Sequence, residues 1–87
     1  MASNISLRNL SDKQQQALKG LLYWRWELAM YKYLPAEKEY YNQILSNIQY
    51  NKEQCDKAEV PPIYKKLVLD NTTSQTDCTR LSDVIPY

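Results

Sequence analysis

Residues 17–34 read ALKGLLYWRWELAMYKYL and carry the densest run of large apolar side chains in the chain. On a helical period of 3.6, Ala17, Leu21, Trp24 and Leu28 form one edge of this run, and Leu18, Leu22, Trp26, Ala29 and Tyr33 the other. Arg25 and Lys32, one heptad apart, project between those edges, inside the apolar arc. The polar strip is narrow, made of Lys13, Gln16, Gly20 and Glu27. A surface helix usually presents one apolar stripe and a wide polar face. This one is apolar around more than half its circumference, so a single neighbouring helix would leave part of it bare.

Ser11-Asp12-Lys13-Gln14 has the form of a capping box, in which Ser11 and Gln14 satisfy each other's backbone amides. The first helix is therefore placed in segment 11–34, running from Asp12 to Tyr33. Gly20 costs it about 1 kcal/mol relative to Ala, which suggests that another backbone comes close there. Leu34-Pro35 breaks the pattern, because the residue before a proline is driven out of the helical region. A second helix is expected over 35–59, starting at Pro35 and ending at Ala58. Its apolar positions are Tyr40, Tyr41, Ile44, Leu45, Ile48 and Cys55, a thin stripe. At Pro35 the chain either turns into a hairpin or continues as one kinked helix.

Pro61-Pro62 reads as the end of that helix, and 60–87 as an extended tail. Within it, Ile63–Asp70 fits a short strand or a helical turn, and Asn71–Asp77 a polar loop. Residues 1–10 read as an extended arm. The expected fold is a single all-α domain over 1–87: a two-helix hairpin, or a helix kinked at Pro35, with extended N- and C-terminal segments.

Composition narrows the chemistry. The 87 residues include eight tyrosines, one glycine, no phenylalanine and no histidine. Without histidine the usual proton carrier near neutral pH is missing. Glu37 and Glu39 fit a helix start better than an acid–base pair. One glycine cannot build a phosphate loop. The sequence thus points away from an enzyme, a cofactor and a metal site. A net charge of +1 gives no basis for nucleic-acid binding. Cys55 and Cys78 fit two free thiols, or a disulfide tying the tail to the second helix. The first residues do not read as a secretory signal, which favours an intracellular protein, with the mitochondrion among the candidate compartments.

What remains is the aromatic helix. Trp, Tyr and Arg are the side chains that most often carry binding energy between proteins. Leu21, Trp24, Arg25, Trp26, Leu28, Tyr31 and Lys32 are the candidate partner-binding residues. The expected function is a non-catalytic accessory subunit or adaptor that docks on other protein subunits through the first helix. The alternatives are a self-associating helical hairpin with a regulatory role and a protein that contacts a membrane surface through its Trp and Tyr side chains. Arg25 and Lys32 need acceptors in any of these, and Glu37, Glu39 or Asp56 would provide them across a hairpin.

Overall fold

The computed structural model describes residues 6–31 and 38–84, and every regular element among them is helical. A single 3-10 turn at Leu7–Asn9 leads into α1 (Asp12–Tyr31), which is followed by α2 (Lys38–Lys57), α3 (Pro62–Asn71) and α4 (Gln75–Val84). The all-α class stands. The count of two helices does not, because the segment expected as an extended tail folds into α3 and α4. The chain's path at Pro35 lies outside the described residues, as do Lys32 and Glu37.

The helix starts are local chemistry. Gln14 N donates to Ser11 Oγ at 3.2 Å and Ser11 N donates to Gln14 Oε1 at 2.9 Å, completing the capping box at the head of α1. Ser74 does the corresponding work for α4, with its hydroxyl accepting from Asp77 N at 3.1 Å. Pro62 occupies the first turn of α3, where its missing N–H and fixed φ cost nothing. The second of the two prolines read as a helix stop is thus also a helix start.

α1 and α2 lie antiparallel. Gln14 reaches Ala58, Gly20 faces Asn51 and Glu27 meets Tyr40, so positions rise on one helix as they fall on the other. α1 also packs against α3 and α4, and α3 against α4. Leu18, Leu21, Ile44, Ile48, Cys55, Tyr64, Val68 and Leu81 form the centre of one core that draws on all four helices. Gly20 and Glu27, read from the sequence as solvent-facing, sit at the edge of the α1–α2 contact. Gly20 admits the Asn51 side chain, not a neighbouring backbone.

Polar side chains fasten the ends. Gln14 Nε2, free of its role in the capping box, donates to Ala58 O at 2.9 Å and Glu59 O at 3.1 Å, tying the head of α1 to the tail of α2. Gln15, buried, donates to Leu7 O and Leu10 O at 2.7 and 3.0 Å. Tyr64 on α3 donates to Ser6 O at 2.9 Å and accepts from Ser6 N at 3.1 Å. The N-terminal arm from Ser6 onward therefore packs on its own chain, with Leu10 in the core.

α2 ends in a Schellman arrangement: Val60 N donates to Cys55 O at 2.9 Å and Glu59 N to Asp56 O at 3.1 Å. That geometry places Glu59 at φ 60°, the left-handed region that favours glycine. Val60 and Cys55 make the buried contact that accompanies the motif. Glu59→Gly should raise stability by about 1 kcal/mol, because the bonds Glu59 makes here use its backbone. The check is a thermal midpoint about 4–8 °C higher in circular dichroism.

Candidate functional site

The residues singled out along the first helix fall into different settings. Leu21 is fully buried at 0% exposure and belongs to the core. Trp24, Leu28 and Tyr31 are half-buried and pack against the core. Trp26 is half-buried, about 200° around the helix from Trp24. Lys32 lies outside the described residues.

Arg25 is occupied inside the molecule. Its Nε donates to Thr72 Oγ1 at 2.9 Å, and its Nη2 donates to Leu69 O at 3.2 Å and Thr72 O at 2.6 Å. Leu69 and Thr72 stand at the C-terminal end of α3, where carbonyls lack helical partners and the dipole favours a cation. Thr72, itself buried, donates a hydrogen bond from its hydroxyl to Val68 O. The cation set within the apolar arc is thus the cap of a neighbouring helix. Its acceptors stand at the end of α3 and are not the expected Glu39 or Asp56; Glu37 lies outside the described residues. Asp56 instead pairs with Lys65 at 2.6 Å.

Cys55 and Cys78 are both free and buried, so the disulfide alternative is set aside. Burial raises both thiol pKa values above the ordinary one, only partly opposed by Lys65 at Cys55 and by Arg25 at Cys78. Such thiols are poor nucleophiles.

The surface that stands out lies on the outer flank of the α1–α2 pair. Tyr23 on α1 is 52% exposed and Tyr50 on α2 is 56% exposed. The Gly20–Asn51 pairing fixes their relative height. Tyr23 is three residues beyond Gly20 and Tyr50 one residue before Asn51, so the two sit within about one helical turn of each other. Between them, glycine lets the Asn51 side chain settle onto α1. Asn51 Nδ2 donates to Asn47 O at 2.7 Å, which holds that side chain in place.

Further along the α1–α2 contact, Tyr40 OH donates to Glu27 Oε2 at 2.5 Å. The Glu27 charge, followed by its hydrogen bond, raises the Tyr23 pKa above the usual phenol value. For Tyr40 the hydrogen bond to Glu27 is the largest cause of a rise in the same direction, and Tyr23 contributes to it. The three groups therefore form one cluster across both helices. Tyr23 also meets Trp24 edge-on, with ring centroids 5.3 Å apart and planes at 84°. The sequence marks Tyr40 only as part of the apolar stripe of the second helix and does not single out Tyr23 or Tyr50, because their common flank appears only once the helix register is known.

On the opposite flank of α2, Tyr41 and Leu45 are also exposed, and Tyr31 and Tyr41 stack at 5.0 Å. A shallow cleft of about 280 Å³ lies between α3 and α4, lined by Leu67, Asn71, Asp77, Arg80 and Leu81. Among the described residues no cluster of His, Cys, Asp and Glu is placed to hold a metal, and no helix is long and apolar enough to cross a membrane. No protein-family model, curated protein or solved structure matches the chain.

Two substitutions probe this geometry. Arg25→Met keeps the apolar stem but strands the carbonyls of Leu69 and Thr72, and should cost about 2–4 kcal/mol, read by denaturant unfolding. Amide exchange should accelerate first at the end of α3 and the start of α4. Gly20→Ala should gain about 1 kcal/mol of helix propensity and lose about as much by displacing Asn51, for almost no net change. In an Asn51→Ala background the same substitution should stabilise by the full amount of about 1 kcal/mol, a coupling that a double-mutant cycle measures.

Proposed function

We propose that this protein is a non-catalytic interaction module, an adaptor or accessory subunit, that docks on another protein through the tyrosine-bearing flank of its α1–α2 pair. The observation that carries the reading is the placement of Tyr23 and Tyr50, each more than half exposed, at nearly one height on adjacent helices. Tyrosine supplies a large, stiff, amphipathic contact area at low entropic cost and is enriched where proteins bind one another. The flank between them is rich in neutral amides, with Asn47, Asn51, Gln43 and Gln16 on the same side of the pair. Tyrosine and amide side chains together are the composition of an adaptable recognition surface, and lipid headgroups are better matched by lysine and arginine.

The docking element is narrower than the whole first helix. Leu21 and Arg25 serve the fold, and α3 and α4 cover much of the apolar arc that seemed to require a partner. That removes the reason to expect a chain unable to fold alone. The module is therefore proposed to be stable by itself and to bind through a preformed surface. Absence of histidine from the chain supports a non-catalytic role.

Site-specific photo-crosslinking in the native cell tests this reading. A benzophenone side chain at Tyr50 should give a discrete adduct with one partner, and the same group at Lys66 on α3 should not. Tyr23→Ala should abolish the Tyr50 adduct. Equal labelling from both faces, or none from Tyr50, would overturn the assignment. An adduct of twice the chain's mass would assign the face to self-association instead.

A further inference from the structure

We infer that the Tyr23–Glu27–Tyr40 corner of this flank receives a guanidinium group of the docked partner, an inference that rests on the flank being the docking surface. Glu27 is half-buried already and sits between two phenols. An ionised carboxylate has about four acceptor positions; Tyr40 OH occupies one of them, on Oε2, and the Tyr23 phenol takes at most one more, so about two stay open. Glu27 forms no ion pair with a described Lys or Arg; Lys65 pairs with Asp56 on the far side of α2.

Docking changes the balance at this carboxylate. A protein surface closing over the flank removes the water that now solvates Glu27. A charge buried without a partner is strongly unfavourable, so an apolar or acidic partner would be rejected here. A cation of the partner both satisfies the carboxylate and meets the electron-rich faces of Tyr23 and Tyr40. The planar, weakly hydrated guanidinium fits this corner better than an ammonium, because it can bond a carboxylate in-plane while stacking on a ring. Tyr40 and the edge contact from Trp24 hold the receptor groups in position before binding. A metal ion is a weaker candidate, since a single carboxylate provides too few ligands.

The test uses the intact, isotope-labelled protein and three short peptides that differ at one central position: arginine, its uncharged isostere citrulline, or glutamate. The arginine peptide should shift resonances of Tyr23, Glu27 and Tyr40 in a saturable way, with the citrulline peptide weaker by about tenfold or more. Glu27→Gln, checked for an unchanged thermal midpoint, should lose the preference for arginine over citrulline. Equal response to arginine and citrulline, a response confined to another surface, or no response at all would overturn the inference. The photo-crosslinking experiment separates the two claims. A Tyr50 adduct that is lost in Tyr23→Ala but persists undiminished in Glu27→Gln would leave the docking surface standing and remove the cation from it.

Discussion

The structure depends on how a helix that is apolar around most of its circumference is shielded from water. α1 contacts each of the other three helices, and the core residues Leu18 and Leu21 are its contribution to the centre. The hydrophobic effect has no direction, so apolar area alone would allow α3 and α4 many positions against α1. Arg25 removes that freedom. Its guanidinium cannot be left bare in an apolar arc, and its fork has a fixed shape. It binds only where α3 ends with open carbonyls and where Thr72 offers a hydroxyl. One cation thereby sets the position of α3 against α1, and the bend into α4 follows.

Much of this was legible in the chain. Ser11 and Gln14 announced the start of α1, and the stripe through Ile44, Ile48 and Cys55 announced which face of α2 turns inward. The excess of apolar surface on α1 was also visible, but not that α3 and α4 cover much of it. The reason is physical. α3 and α4 span ten residues each, too short to be stable in isolation, and their helical state comes from packing on α1. Local propensity in Ile63–Asp70 is divided between β-branched and helix-forming residues, so no periodic signal could decide it.

One signal was present and missed. Ser74-Gln75-Thr76-Asp77 resembles Ser11–Gln14: a hydroxyl at the cap that accepts from the backbone N–H three positions on, here with Asp77 in place of Gln14. Within a run of Thr, Ser and Asn it passed as a loop. The doubled proline at 61–62 has two readings by the same rule, since proline ends one helix as readily as it begins another. The candidate binding flank was harder still. Exposure of Tyr23 and Tyr50 depends on which side of α1 receives α2, and Gly20 decides that by admitting Asn51. A sequence read one helix at a time does not contain that fact.

The contact between Ser6 and Tyr64 spans 58 positions of chain. During synthesis from the N-terminus, Ser6 leaves the ribosome long before its partner exists. The turn at Leu7–Asn9 then has Gln15 to hold it but no α3 to lie against. Docking of the arm is therefore a late event in vectorial folding, completed after both long helices have emerged. A nascent chain halted before α3 would show its Trp-bearing helix to chaperones, so the order of emergence, as much as the final contacts, governs how this protein reaches its native state.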